Sequence, residues 1–304
     1  MKVAVTGATG MIGSALVRAL TERGDVVTPL SRSARRAAEA FGLDAVEWQD
    51  PLSSPPPAVA LRGHDAVVNL LGEPVAQRWS EEAKREIRDS RVLGTRNLVA
   101  GLAALDERER PRTLVSQSGV DFYEPRGDDR LDEMAPGGHA FLAGVTAAWE
   151  AEALEGGALG VRVVTTRTGV VLSDKGGALQ RMLPPFKLGF GGPVAGGRQY
   201  VPWVHLDDVV GAIRFCLDTP AASGPVNVVA PEPVTNRELS RELGRVLRRP
   251  AIAPVPALAL KLLYGEMATI VITGRRVVPK RLLELGYSFR RPDLADALRD
   301  ATGR

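Results

Sequence analysis

A doubly wound, parallel α/β sheet with a smaller, mostly helical C-terminal lobe is the fold predicted for this chain of 304 residues. Three observations predict it. The first thirteen residues, MKVAVTGATGMIG, read as a short apolar strand, a glycine-rich turn and the start of a helix. Apolar stretches of strand length then alternate with helical ones up to about residue 230, an order that demands parallel pairing through right-handed crossovers. Past that point the pattern is helical, broken by Pro250, Pro254, Pro256, Pro279 and Pro292.

Composition narrows the class. With 44% hydrophobic and 25% charged residues, the chain falls in the globular range and can bury a sizeable core without staples. Its one cysteine, Cys216, lies in the apolar run Ile213 to Leu217, which excludes a disulfide framework and predicts a buried thiol. The net charge is only +3 and the arginines are scattered, so nucleic acid is not an expected partner. Met1 leads straight into the first strand and no run of 18 apolar residues occurs, so the expectation is a cytoplasmic protein without a membrane partner. His64, His139 and His205 lack ligand spacing, so no metal is expected.

The elements follow in order. Val3 to Val5 is the first strand, and the helix from Met11 to Arg23 carries apolar Ile12, Ala15, Leu16, Ala19 and Leu20 on one side. Between them Gly7 lets the chain turn, Gly10 lets a pyrophosphate approach the backbone, and Gly13 lets the helix pack closely. With Thr9, Met11 and Ile12 these residues form a phosphate cradle at a helix N-terminus, the signature of a Rossmann-type dinucleotide site. Val26 to Leu30 is a second strand, followed by Ser31 and Arg32 where an acidic residue would hold the ribose of NAD. Asp25 lies at the wrong end of that strand. Ser31 and Arg32 suit a 2′-phosphate, so NADP(H) is the expected cofactor; the competing reading is that Arg32, Arg35 and Arg36 are a solvated helix start.

A third strand is predicted at Ala45 to Trp48, placing Trp48 and Gln49 near an adenine unless Trp48 belongs to the core. Pro51 to Pro57 is a loop, and His64 to Leu71 a fourth strand whose end brings Leu71, Gly72 and Glu73 to the cofactor side. Ser80 caps a helix running to about Ala104, with Glu81 and Glu82 in its first turn. Thr113 to Ser118, a helix from Ala140 to Leu154, and Arg162 to Thr166 complete the central alternation. Gly169 to Val204 is rich in glycine and proline, Leu206 to Leu217 is helical, and Val226 to Val229 is a last strand. The expected organisation is a cofactor-binding domain of residues 1–168 plus 205–230 and a substrate-covering lobe of 169–204 plus 231–304.

The spacing Gly-x-x-Gly-x-x-Gly within TGATGMIG resembles the short-chain dehydrogenase/reductase superfamily, in its extended, epimerase-like branch. Further segments carry the resemblance along nearly the whole chain: NLLGEPV (69–75), SRVLGTRNL (90–98), RTGVVL (167–172), MLPPFKLGFGGPVAGGRQYVPWVHLDDVV (182–210) and VPKRLLELGYSF (278–289). Together they are similar to an atypical, epimerase-like family of extended short-chain reductases whose C-terminal DUF1731-like region corresponds to Pro254 to Leu298. His205-Leu206-Asp207-Asp208 resembles that family's structural helix start.

The resemblance implies an NADP(H)-dependent epimerase- or reductase-like oxidoreductase acting on a small polar substrate such as a sugar nucleotide. It also exposes a departure. Extended short-chain enzymes pair a Ser or Thr on the fifth strand with Tyr-x-x-x-Lys on the next helix, where lysine lowers the tyrosine's pKa for proton exchange. Ser118, or alternatively Ser116, matches the serine, whereas Phe141 and Val145 stand where the tyrosine and lysine would be. Tyr123, in Asp121-Phe122-Tyr123-Glu124 where the family reads Gly-Tyr-Tyr-Gly, is the candidate replacement, the alternative being an aromatic that packs. Arg167, Lys187 and Arg198 are expected to hold anionic groups of cofactor or substrate, the competing reading being that each is a surface charge. The competing class is a catalytically weak protein that binds NADP(H) as a redox signal.

Overall fold

The computed structural model describes residues 1–304. The first half runs β1 (Lys2–Thr6), α1 (Met11–Glu22), β2 (Val26–Ser31), α2 (Ala34–Phe41), β3 (Val46–Glu47), β4 (Ala66–Asn69), α3 (Glu81–Ala103), β5 (Thr113–Gly119), β6 (Arg130–Leu131) and α4 (Phe141–Leu154). It continues through β7 (Arg162–Thr168), β8 (Val170–Leu172), α5 (Gly177–Lys187), β9 (Tyr200–Val201), β10 (Trp203–His205), α6 (Leu206–Asp218) and β11 (Gly224–Val228). The remainder is β12 (Val234–Thr235), α7 (Asn236–Leu247), α8 (Ala257–Tyr264), α9 (Ala268–Ile272), β13 (Arg276–Val277), α10 (Lys280–Glu284) and α11 (Leu294–Thr302).

Seven strands form one parallel sheet in the order β11-β7-β5-β4-β1-β2-β3. The chain winds outward from β1 in both directions, so the crevice between β1 and β4 is the switch point where doubly wound sheets bind their ligands. Its central strands β1, β4, β5 and β7 are buried on both faces. Val3, Val5 and Val68 face α1 and α6 in one apolar cluster, while Ala4 and Val67 face Leu98 and Leu102 of α3 in another. Near-continuous apolar runs are what such double burial requires.

The helices begin where capping chemistry allows. Ser80 accepts a hydrogen bond from the Ala83 amide at the start of α3, and Thr235 and Glu238 form a reciprocal capping box on α7. No helix is long and apolar enough to cross a membrane.

Six short strands depart from the expectation of a loop-rich lobe followed by helices alone. They pair as β10 with β8, β12 with β9, and β13 with β6. Segments of two or three residues carry no periodicity of their own, and their pairing is set by what tertiary packing brings alongside. The C-terminal region is held from α6: buried Asp208 accepts hydrogen bonds from the backbone amides of Arg290 and Arg291 and from the Tyr287 hydroxyl. His205 adds a contact, its Nε2 lying 3.2 Å from Asp300 of α11 while its Nδ1 accepts from the Asp207 amide.

Candidate functional site

The switch point is fixed by a small polar network. The Thr6 hydroxyl donates to Asn69 Oδ1 at 2.8 Å and accepts from the Leu70 amide at 3.0 Å, tying the end of β1 to the end of β4. Asn69 Nδ2 in turn donates to Thr95 of α3 and Ser116 of β5. Above this anchor Gly7 turns the chain at φ +60°, and a Cβ there would lie 2.4 Å from the Leu70 carbonyl oxygen. At Gly13 a Cβ would meet the Gly7 carbonyl oxygen at 2.2 Å, so this glycine seats the helix against the turn itself. Gly10 is different: its Cβ would find only the Gly7 oxygen, at 3.3 Å, leaving the space beyond it to a ligand. No side chain caps α1, so its first amides stay available to an anion.

Of the expected cofactor residues, Gly7, Thr9, Gly10, Ser31, Arg32, Leu71, Gly72 and Glu73 line one cavity of about 620 Å³. That volume is within the usual range for small-molecule sites, about 300–1,000 Å³. The turn is therefore a cradle that added side chains at Gly7 and Gly13 would destroy and one at Gly10 would fill. Met11, Ile12 and Gly13 stand just outside the cavity wall in the first turn of α1, with the Met11 side chain turned toward Gly176 and Gly177. Trp48 takes both of its expected places: it lines the cavity, yet it is buried beside Leu30 with its indole donating to the Ser54 carbonyl. Arg32 reaches across the opening, its Nη1 3.6 Å from Glu73 Oε1. Asp25 is at the far end of β2, bound to Arg23 and the N-terminal ammonium. Asp50, Glu86 and Ser90 also line the cavity and went unpredicted; loop and helix residues that reach a site from outside its motif leave no local signal.

Three expected site residues are inside the protein instead. Ser118 donates from Oγ to Glu150 at 2.5 Å, and Arg167 grips the same carboxylate from Nε and Nη2 at 2.8 and 2.7 Å. Arg167 Nη1 also donates to the Tyr123 hydroxyl, which itself donates to Asn227 Oδ1 at 2.7 Å. The Arg167 guanidinium lies 3.5 Å from the Phe122 ring centre. Tyr123 is wholly buried, and burial pushes its phenol up to about 12. The expectation that Tyr123 reaches the cleft and that Arg167 binds an anion is corrected by this geometry, because both side chains are consumed by neighbours on the sheet's own helix-covered face. Glu150, one acid in the largely apolar stretch Val145 to Ala151, was the available sequence signal for an internal partner.

Lys187 and Arg198 stand apart from the cavity. Both are exposed and neither lines the cavity. Lys187 ends α5, and Arg198 borders a shallow second hollow with Asp128, Thr235 and Arg237.

What stands at the end of β5 is a different set. Phe141 opens α4 with its ring 5.1 Å from Trp79 and the Lys84 ammonium 5.5 Å above it, and Val145 is buried one turn on. In the turn after β5, Asp121 Oδ1 accepts from Arg275 Nη1 at 3.1 Å, while Arg275 Nε donates to the Tyr123 carbonyl at 2.6 Å. Burial pushes the Asp121 carboxyl above the ordinary carboxylate range, opposed by Arg275 and Arg91. Arg275 precedes β13, so the pairing of β13 with β6 delivers a C-terminal residue to this site.

Comparison with known proteins agrees with this layout. Residues 3–230 match the NAD dependent epimerase/dehydratase family, and residues 255–301 match a domain of unknown function, DUF1731. The chloroplastic homolog of epimerase family protein SDR39U1 from Arabidopsis thaliana is 40% identical over 98% of this chain and 86% of its own. Epimerase family protein YfhF from Bacillus subtilis is 35% identical over 98% and 97%. The crystal structure of human epimerase family protein SDR39U1 (isoform 2) with NADPH superposes with a TM-score of 0.87 at 33% identity, covering 100% of both chains.

Proposed function

The chain belongs to the NAD dependent epimerase/dehydratase family, and from that premise we propose that it is an NADP(H)-dependent, epimerase- or reductase-like oxidoreductase of a small polar substrate, sugar nucleotides included. The observation that carries the reading is the cavity at the β1–α1 turn, where β2 ends in Ser31, followed by Arg32, rather than in a carboxylate. A 2′-phosphate fits that end and a ribose diol gains nothing from it. The human relative solved with NADPH supports the choice. Bound in this cradle, the nicotinamide supplies hydride exchange at its C4.

The remaining roles fall to the chain. Residues 1–168 and 205–230 hold the cofactor, and 169–204 with 231–304 cover the substrate. Ser118 and Tyr123, the expected pair, hydrogen-bond elsewhere, so the proton of the substrate hydroxyl passes to and from Asp121. One of its oxygens accepts from Arg275 while the other carries no hydrogen bond and is free to exchange a proton, and burial raises this carboxyl's pKa.

A second reading is favoured by one observation: α4 offers neither phenol nor ammonium, only Phe141 and Val145. On that reading the protein binds NADP(H) and turns over slowly or not at all, as a redox sensor. Fluorescence titration with NADPH and NADH, beside a carbonyl and sugar-nucleotide screen following NADPH absorbance, separates the two. Turnover that falls with Asp121→Asn supports the first reading; tight NADPH binding with no turnover on any substrate supports the second, and equal affinity for the two cofactors defeats both.

A further inference from the structure

Arg91, Arg110 and Arg162 are half-buried without a carboxylate partner, and two of them are easily explained. Arg110 donates to the carbonyls of Leu102, Leu105 and Leu159, and Arg162 to those of Cys216, Leu217 and Ala222, with Thr113 in addition. Both lie at the N-terminal edge of the sheet and both spread their donors over carbonyl groups that need them. Arg91 is the third, and it lies at the opposite edge.

Arg91 belongs to α3, next to Ser90, whose hydroxyl accepts from the Glu73 amide in the cavity wall. Its Nη1 donates to the carbonyls of Glu73 and Ile87 at 3.0 and 2.9 Å, and its guanidinium stacks 5.2 Å from the centre of the Trp149 ring. Its Nε and Nη2, the side-on fork of the guanidinium, donate to nothing in the protein. Gly72 makes the room: a Cβ there would lie 3.0 Å from both Cζ and Nη2. Burial pushes the guanidinium down to about 10, with Glu73 and Asp121 opposing the shift from beyond ion-pair distance. A half-buried cation whose fork is unpaired is a ready partner for an anion. Arg167, Arg275 and Arg23 each have such a partner in Glu150, Asp121 and Asp25.

We propose that Arg91 holds an oxyanion of the substrate, a phosphate or carboxylate group seated on its Nε and Nη2. The planar fork matches two oxygens of such a group. The position lies between the Gly72–Glu73 wall of the cavity and Asp121 at the end of β5, so the anion sits next to the group that exchanges the proton. The inference rests on the cleft reading above and narrows the substrate to one bearing a negative charge near its reacting carbon.

The test is calorimetric titration with inorganic phosphate, oxalate and UDP, on the protein alone and on the protein saturated with NADPH. Arg91→Met keeps the stacking stem and removes the fork; Arg91→Lys keeps a charge without the fork. The expected result is that at least one probe binds the NADPH-saturated wild type, is weakened at least about tenfold by Arg91→Met and less by Arg91→Lys, while NADPH affinity and melting temperature stay near wild type. No probe binding to the wild type, or unchanged binding to Arg91→Met, overturns the proposal. So does a tenfold loss of NADPH affinity with probe binding intact, which would give the fork to the cofactor's diphosphate. Failure of the wild type to bind NADPH would instead defeat the cofactor reading, and the titrations on the protein alone would still judge Arg91.

Discussion

Arg167 and Glu150 meet through two parallel hydrogen bonds, Nε to Oε1 and Nη2 to Oε2, with only 5% and 7% of their side chains exposed. This pair joins β7 to α4, and Ser118 and Tyr123 close around it. Removing one member leaves an uncompensated buried charge, which typically costs about 3–5 kcal/mol. Arg167→Met and Glu150→Gln are each expected to lower urea stability, the former by that amount and the latter by less because an amide can still hydrogen-bond. Arg167→Met combined with Glu150→Met should recover much of the loss. If Arg167→Met leaves stability untouched and instead weakens NADPH binding, Arg167 faces the cleft.

Tyr123→Phe tests the same network from its other end. Its hydroxyl serves both Arg167 and Asn227, so losing it strands buried groups at about 1–3 kcal/mol of stability. A positioned proton donor would show about a 100- to 10,000-fold fall in turnover. The expected outcome is a lower denaturation midpoint with turnover of the folded fraction unchanged.

Arg32 and Glu73 share the cavity opening, 75% and 41% exposed, and a 2′-phosphate would compete with Glu73 for the guanidinium. Arg32→Ala should weaken NADPH binding about tenfold or more and leave NADH unaffected. Glu73→Gln should tighten NADPH by about two- to fivefold, the scale of a released surface ion pair. Fluorescence titration of both cofactors reads the two changes, and a Glu73→Gln variant that weakens NADPH would contradict the competition.

The glycines of the turn should separate by role. Gly10→Val places its branch where a pyrophosphate would lie and touches little else, so a normal circular dichroism spectrum with lost NADPH binding is expected. Gly13→Val instead drives atoms into the Gly7 carbonyl and should lower the melting temperature before any cofactor is added.

Cys216 is buried on α6, and burial pushes its thiol up to about 12. At pH 8 it is a protonated thiol without access, so a thiol reagent should label it only after denaturant is added. Stoichiometric labelling of the native protein would place it elsewhere.

The sequence by itself determined the alternation that builds the seven-stranded sheet and the cradle between β1 and α1. Both are written in contiguous residues: doubly buried strands need unbroken apolar runs, and a turn that must admit a phosphate needs glycines at fixed spacing. Ser31 and Arg32 were legible for the same reason, since their place follows from the end of one strand. The tertiary structure alone decided which polar side chains face the cleft. Ser118 and Arg167 occupy strand ends where sequence allows either face, and Glu150, 32 and 17 residues away, draws both inward. Arg91 and Asp121 lie near each other because α3 approaches the end of β5, and Arg275 joins Asp121 through the two-residue pairing of β13 with β6. Such placements depend on contacts between segments far apart in the chain, and no local pattern encodes which distant charge will satisfy a buried one.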